Sequence, residues 1–194
     1  MFTTRLSAFF MGAFLVCASA QAQLLTFAPS SQSLNSGDAF SVDLRISGLG
    51  DGTSLSVGVF DIDVFFDALL LSFDDATYGA GLDVLGLGSL QITTPGGGAV
   101  NLFELSFDTA AELNALQPAA FTLATLHFTA LTAGTSALDL AVNAMGDADG
   151  ADLPVSVQNG SVIIAPPSTI VPEPQSLALL LAGLTLLGVV RRRA

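Results

Sequence analysis

Basic side chains are scarce in this 194-residue chain. It has no lysine, and the only arginine between residues 23 and 171 is Arg45, which faces sixteen aspartates and glutamates in the same stretch. With histidine neutral, the stretch therefore carries fifteen net negative charges. Nucleic-acid binding needs clustered Lys or Arg and is excluded. The same charge keeps the stretch away from anionic lipid, favours solubility outside the cell and leaves binding of divalent cations open.

Cysteine and histidine occur once each, which removes most catalytic chemistry. Cys17 lies in an N-terminal leader, so the rest of the chain has no thiol for a disulfide, a nucleophile or a metal site. His127 is a lone strand histidine without a partner for a catalytic dyad, and no P-loop, nucleophile elbow or His-Glu-x-x-His pattern occurs. A glycosidase needs two placed carboxylates, but Asp61 and Asp63 alternate on the polar face of a strand, where solvated side chains are expected. We therefore expect no enzymatic activity.

Aromatic residues of the kind that recognise sugars are also rare. The chain has no tryptophan and a single tyrosine, Tyr78, and its phenylalanines mostly occupy inward strand positions. Flat sugar-binding faces of β-sandwiches depend on exposed Trp and Tyr. Carbohydrate binding is therefore the weaker alternative to protein binding.

The first 22 residues have the features of a secretory signal peptide. Arg5 gives a positive start, and LSAFFMGAFLVCA is an apolar segment of ordinary length. Small-x-small cleavage patterns end at Ala20 and at Ala22. A buried helix or a permanent anchor is the alternative, but the apolar run is short for spanning a bilayer. We expect a signal helix over residues 1–22 that signal peptidase removes.

The body that follows alternates apolar and polar residues with period two. In DAFSVDLRIS the side chains of Phe40, Val42, Leu44 and Ile46 share one face, and in VFDIDVFF every second residue from Phe60 is apolar. Such alternation predicts half-buried strands. Strands are predicted at 38–47, 59–66, 69–73, 82–87, 100–107, 121–130, 137–142 and 155–164.

Turn residues separate these strands, in GLGDG, PGGG, TAGT and GDADG. Thr109 and Glu112 form a capping box that opens one short helix, 109–116. Many short strands, Gly-rich turns and one helical insert predict an all-β fold, a β-sandwich. A Pro-rich spacer follows from residue 165.

Three acidic residues of one turn, Asp147, Asp149 and Asp152, are the best metal candidates. Carboxylates spaced around a glycine turn can converge on Ca²⁺, as in an EF-hand loop. The pattern departs from the EF-hand at Met145 and at Ser156, where acidic residues would be required. The alternative is that these residues only form the turn, since Asp and Gly suit tight loops.

The C-terminal segment combines a Pro-Glu-Pro motif, an apolar run and three arginines. The run from Ser176 to Val190 has 15 residues, about 22 Å of helix at ~1.5 Å per residue, against a hydrocarbon core of about 30 Å. The arginines, Arg191, Arg192 and Arg193, belong in the cytoplasm by the positive-inside rule and place the acidic body outside. A short helix that holds the chain transiently suits processing. A permanent anchor is the alternative.

The body resembles the cohesin modules of cellulosome scaffolds. ALDLAVNAMGDADGADLPVSVQNGSVII is similar to the last strands of that family, with its Gly-Asp-x-Asp loop and Pro-Val-x-Val-x-Asn-Gly-Ser-Val strand. GDAFSVDLRISGL, FDIDVFFDALLLSF and FTLATLHFTAL fit earlier strands in order, with Ala68 where proline is usual. The resemblance implies a jelly-roll sandwich of about nine strands. It also implies that one sheet face binds a dockerin-like module on another protein.

The tail resembles the PEP-CTERM sorting signal, through Val171, Pro172, Glu173 and Pro174 followed by the apolar helix and the arginines. This resemblance implies processing by an exosortase, a membrane transpeptidase of Gram-negative bacteria that make exopolysaccharide. The expected organisation is a signal peptide (1–22), a cohesin-like sandwich (23–165), a Pro-rich linker (166–174) and a hydrophobic sorting helix (175–194).

The chain is therefore expected to pass through the inner membrane to the cell surface or extracellular matrix as a non-catalytic interaction protein. Its expected partner is a dockerin-like protein, with exopolysaccharide as the alternative. No cofactor is expected apart from the candidate Ca²⁺.

Overall fold

The computed structural model describes residues 23–166, and these residues form two packed β-sheets. Residues 23–166 contain eleven strand segments, one 3₁₀ turn at Ala80–Leu82 and one helix, α1, at Ala110–Leu116. The strands are β1 (Gln23–Ala28), β2 (Ser31–Asn35), β3 (Ala39–Ser47), β4 (Val57–Phe65), β5 (Leu71–Tyr78), β6 (Ser89–Pro95), β7 (Ala99–Ser106), β8 (Ala120–Ala130), β9 (Gly134–Asp147), β10 (Val155–Gln158) and β11 (Gly160–Ala165).

The first and last strands of the fold each cross from one sheet to the other. The five-stranded sheet has the order β10-β1-β3-β8-β5, and the six-stranded sheet has the order β2-β11-β9-β4-β7-β6. β1 pairs in parallel with β10, and β2 pairs in parallel with β11, while all other pairs are antiparallel. If β1–β2 and β10–β11 are each counted as one sheet-switching strand, the eleven segments become nine. The predicted all-β sandwich of about nine strands is therefore confirmed.

The core lies between the sheets and follows the predicted alternation. Val42, Leu44 and Ile46 of β3 are buried, as are Phe60, Ile62 and Val64 of β4 in the opposite sheet. Phe128 of β8 stands at the centre of an aromatic cluster, with ring centroids 5.5, 5.2 and 5.6 Å from those of Phe40, Phe66 and Phe73. Each fully buried side chain, such as that of Phe128, stabilises the fold by about 1.5–3 kcal/mol relative to exposure.

The predicted helix is confirmed, and its cap is the predicted capping box. The Thr109 hydroxyl accepts a hydrogen bond from the Glu112 N–H, and the Glu112 carboxylate accepts one from the Thr109 N–H at 2.8 Å. Gln117 ends the helix and is fully buried. Its side chain accepts from the Val57 N–H at 2.6 Å and donates to the carbonyls of Val57 and Gly81, so it ties α1 to the start of β4.

The strand predicted at 82–87 is wrong. This stretch contains the end of the 3₁₀ turn and a loop whose Gly86 and Gly88 have φ values of 71° and 97°, in the left-handed region that an extended strand does not use. The strand follows the loop instead, as β6. The prediction mistook the Leu and Val residues of a loop for a strand because their spacing also has period two.

Several other strand limits differ from the predicted ones. The segment predicted as one strand at 155–164 is broken at Asn159, whose side chain accepts from the Leu140 N–H and donates to Asp139. β5 extends past the predicted end at 73, and β9 extends on both sides of 137–142. The sheet-switching strand β1–β2 was not predicted.

The remaining predicted segments lie outside the described residues. They are the signal helix at 1–22, the linker from residue 167 onward and the sorting helix at 175–194. Between residues 23 and 166, no helix is both long and apolar enough to cross a membrane.

Candidate interaction surface

The outer face of the six-stranded sheet carries an exposed apolar patch. Strand alternation turns Leu90 and Ile92 of β6 and Phe103 and Leu105 of β7 outward, and the register places Leu90 beside Leu105 and Ile92 beside Phe103. Val59 of β4 continues the first of these rows. Leu90, Ile92 and Leu105 expose 42%, 46% and 38% of their surface, whereas the inward Leu and Ile side chains of β4 and β7 are buried. We call these five residues the apolar patch.

Two aspartates border the apolar patch and are fixed by amides on both sides. Asp61 and Asp63 stand two residues apart on β4, so their side chains point the same way. The Asn101 amide on β7 donates to both carboxylates, at 2.6 and 2.9 Å, and the Asn143 amide on β9 donates to both at 3.2 and 2.9 Å. We call these four residues the Asp–Asn cluster. It holds two negative charges in one orientation, with carboxylate lone pairs still open to a donor from outside.

The outer face of the five-stranded sheet has a different character in its central strands. β3 and β8 turn Ser, Thr and charged side chains outward: Ser41, Asp43, Arg45, Thr122, Thr125, His127 and Thr129. The Thr125 hydroxyl donates to Asp43 at 2.6 Å, and His127 Nε2 lies 3.9 Å from Asp75. The structure therefore places His127 on a polar surface, half-exposed beside a carboxylate.

A buried carboxylate lies directly beneath the apolar patch. Glu104 of β7 points inward and is fully buried. Its Oε1 accepts from the Ser89 hydroxyl at 2.6 Å and from the Gln91 amide at 2.9 Å, both on β6. Among the described residues, its Oε2 has no hydrogen-bond partner. Burial raises the pKa of Glu104 above its ordinary value, the two hydrogen bonds lower it in part, and the negative charge of Asp83 adds to the rise.

The three predicted metal ligands lie on one turn, and the turn itself uses one of them. Asp147 Oδ1 accepts from the N–H groups of Asp149 and Ala151, at 3.0 and 2.8 Å, and the Asp147 N–H donates to the Ala151 carbonyl. Gly150, with φ of 84°, completes the turn. Within residues 23–166, no group of three or more Asp, Glu, His or Cys side chains is placed to hold a metal ion. Asp147 therefore has an evident structural role, and calcium binding by Asp149 and Asp152 stays a prediction.

A cavity of about 750 Å³ opens beside this turn. The loop at residues 48–55 forms its other wall, and Asp147 and Asp152 stand in its lining. Leu55 in that loop has φ of 79°, a conformation that non-glycine residues rarely adopt, and is half-exposed. The predicted sorting and cleavage residues are outside the described part of the chain: Ala20, Ala22, Val171, Pro172, Glu173, Pro174, Arg191, Arg192 and Arg193.

Most of the apolar patch was not predicted from the sequence. Asp61 and Asp63 were expected on a polar strand face, and they lie on the outer face as expected. β6 was not predicted, so Leu90 and Ile92 were not recognised as outward residues. The alternation of Leu90, Gln91, Ile92 and Thr93 was the available signal. Asn101 and Asn143 could not have been found, because only the pairing of β7 and β9 with β4 brings them to the aspartates.

Solved structures of cohesins share this fold. The sixth cohesin of scaffoldin B from Acetivibrio cellulolyticus, solved with a dockerin, has a TM-score of 0.60 and 16% identity, covering 74% of this chain and 99% of that one. A cohesin from a Clostridium thermocellum cohesin–dockerin complex has a TM-score of 0.60 and 14% identity, with the same coverage of both chains. A non-cellulosomal cohesin from the archaeon Archaeoglobus fulgidus has a TM-score of 0.55 and 18% identity, covering 74% of this chain and 90% of that one. The body of this chain is a cohesin-like sandwich.

The tail matches a family model of its own. Residues 171–194 match the PEP-CTERM protein-sorting motif. The predicted resemblances of body and tail are therefore both confirmed. No curated protein is similar enough to the chain to match it.

The Asp147 turn gives a test that separates structure from metal binding. Asp147→Ala should lower the free energy of unfolding by about 1 kcal/mol, because the N–H groups of Asp149 and Ala151 lose their acceptor. Asp147→Asn keeps an oxygen at that place and should change it by less than about 0.5 kcal/mol. Urea denaturation measures both. Equal losses in the two variants would contradict the turn role.

Calorimetry with CaCl₂ decides the calcium prediction. Heat of binding and a rise in melting temperature, both lost in the Asp149→Asn, Asp152→Asn double variant, would support it. Wild-type protein that shows neither heat nor a melting shift would refute it.

Proposed function

We propose that this protein is an exported, non-catalytic interaction module whose cohesin-like sandwich binds a dockerin-like protein through the outer face of the six-stranded sheet. The apolar patch beside the Asp–Asn cluster is the observation that carries this proposal. Exosortase processing at the C-terminal motif delivers the module to the cell surface or extracellular matrix. The similar cohesins solved in complex with dockerins support the class of partner.

The apolar patch has the composition of an interface centre. Protein interfaces concentrate aromatic and aliphatic anchors in the middle and place polar groups around them. Here Phe103, Leu105, Leu90 and Ile92 supply the apolar centre, and β6 contributes no charged side chain to it. Exposed apolar side chains are common singly, but adjacent rows across two strands mark a binding surface.

The Asp–Asn cluster defines what the partner must offer. A partner surface that covers the patch buries Asp61 and Asp63, and a buried carboxylate requires a hydrogen-bond donor or a positive charge. The body has fifteen net negative charges, so a partner with Arg, Lys or hydroxyl donors opposite the cluster is also steered toward it. We therefore propose a partner with an apolar ridge flanked by such donors.

The carbohydrate alternative has less support from the geometry. Sugar-binding faces depend on exposed Tyr and Trp rings. Tyr78, the single tyrosine, donates its hydroxyl to the Ile92 carbonyl at 2.7 Å and contacts the Thr93 hydroxyl at 3.0 Å, and its ring stacks with that of Phe60. Tyr78 thus stabilises β6 from inside and is not presented to a glycan.

A matched pair of variants tests the docking face. Ile92→Glu places a charge in the apolar patch and should reduce capture of the partner from the secreted proteins of the source cells at least tenfold, about 1.4 kcal/mol. Ile163→Glu is the control, because Ile163 is 46% exposed like Ile92 and lies on the outer face of the same sheet. It stands four strands away, about 19 Å at ~4.8 Å per strand.

Quantitative mass spectrometry of captured proteins gives the readout. A protein retained by wild type and Ile163→Glu but lost from Ile92→Glu would support the proposal. Capture that is equal for all three baits, or recovery of polysaccharide without any protein, would contradict it.

Processing of both ends gives a second test. The mature protein should begin after Ala20 or Ala22 and should lack Arg191, Arg192 and Arg193, because the exosortase acts near Pro172-Glu173-Pro174. Intact-mass measurement of the protein from cells checks both ends. A mature chain that ends at Ala194 would refute processing and favour a permanent anchor.

A further inference from the structure

Edge strand β6 is held to the interior of the sandwich by two ionisable side chains. Glu104 binds the side chains of Ser89 and Gln91, and Tyr78 binds the Ile92 carbonyl and the Thr93 hydroxyl. Within residues 23–166, β6 pairs with β7 alone, and its other edge has no strand beside it. The same strand supplies Leu90 and Ile92 to the apolar patch, so whatever loosens β6 also alters the proposed docking face.

The negative charge of an ionised Glu104 has no positive charge beside it among the described residues. The carboxylate is fully buried, and Oε2 has no hydrogen-bond partner in the part of the chain that the structure describes. The ionisable groups that face it are Asp83, from the loop before β6, and Tyr78, from β5, and neither supplies positive charge. β6 has no ionisable side chain, and on β4 the residue opposite Glu104 is Phe60. An ionised Glu104 is therefore a desolvated negative charge beside another carboxylate, whereas a protonated Glu104 is neutral.

We propose that ionisation of Glu104 loosens β6 and thereby weakens the docking face, which makes this face a pH-responsive surface that is best formed in mildly acidic surroundings. This inference rests on the proposed function for its biological meaning. The coupling of the buried Glu104 carboxyl to edge strand β6 does not depend on a partner, because it follows from the hydrogen bonds of Glu104 with Ser89 and Gln91.

The direction of the pH effect follows from the raised pKa of Glu104. The folded state holds the proton more tightly than the unfolded state, so the stabilisation is complete below the ordinary carboxyl range. It falls as pH rises through the pKa of the folded state, and it is constant above that pKa. Between the two pKa values, the protection of β6 amides against hydrogen exchange should fall as pH rises, by at most tenfold for each pH unit, because a single proton is involved.

Hydrogen exchange with mass spectrometry tests the coupling in the full chain purified in mild detergent. Protection factors, which are rates corrected for intrinsic exchange at each pH, are compared between pH 4.5 and 8 for peptides covering residues 89–95 and 31–35. Residues 31–35 form β2, the opposite edge of the same sheet. The protection factor of residues 89–95 is divided by that of residues 31–35, and this ratio removes stability changes shared by the whole sandwich.

In the wild type, the ratio for residues 89–95 should fall as pH rises. Glu104→Gln keeps an oxygen acceptor for Ser89 and Gln91 without charge, so its ratio should be independent of pH and higher than that of wild type at pH 7.5. Glu112→Gln is the matched control, because glutamine also serves a capping box, and it should follow wild type.

Two results would overturn the proposal: a wild-type ratio that is constant across this range, or a Glu104→Gln ratio that follows wild type. The wild-type series decides alone if Glu104→Gln does not fold. The measurement needs no partner, so its failure would leave the docking proposal standing, and failure of partner capture would leave the pH coupling standing.

Discussion

Each strand of this sandwich can bury only one of its two faces, and that constraint determines most of what the protein presents to its surroundings. Residues 23–166 contain no cysteine, so the opposed inner faces carry the stability without covalent help. The core packs Phe128 and its neighbouring rings between the sheets. Period-two alternation then assigns every other side chain to solvent. Function must use those outward side chains or the loops.

The two outward faces have been built differently. The central strands of the five-stranded sheet present serine, threonine and charged residues, a surface that water solvates readily. The six-stranded sheet presents adjacent apolar rows on β4, β7 and β6 beside two aspartates that two asparagines hold in place. A surface that must only stay soluble has no use for such rows. The dockerin-like partner that we propose accounts for these rows, because it covers them.

The edge position of β6 links recognition to electrostatics. A terminal strand has half the ladder hydrogen bonds of a central one, so side-chain ties from beneath matter more for its position. Here those ties come from Glu104 and Tyr78, both of which lose solvent contact in making them. Burial of an acid without a counter-charge favours its neutral form. The ionisation of the inward Glu104 carboxyl thus affects the outward apolar patch, whose Phe103 and Leu105 are its neighbours along β7.

How far the sequence predicted this arrangement depended on whether the signal was local. Alternation in β3 and β4 and the Thr109–Glu112 capping box are short-range patterns, and the structure confirms them. β6 was missed because the preceding loop, with glycines in left-handed conformations, imitates the period of a strand. The Asp–Asn cluster is a product of register between strands far apart in sequence. The buried state of Glu104 likewise depends on which way β7 faces, and its neighbours Ser106 and Leu102 do not reveal that.

Site-specific photocrosslinking tests the central claim, that the six-stranded sheet provides the docking face. A photoreactive phenylalanine analogue placed at Phe103, on the outer face of β7, is compared with the same analogue at Thr125, on the outer face of the other sheet. Irradiation in the presence of secreted proteins should give a crosslinked partner band from position 103 and none from position 125. A band from position 125 alone, or equal bands from both, would contradict the account.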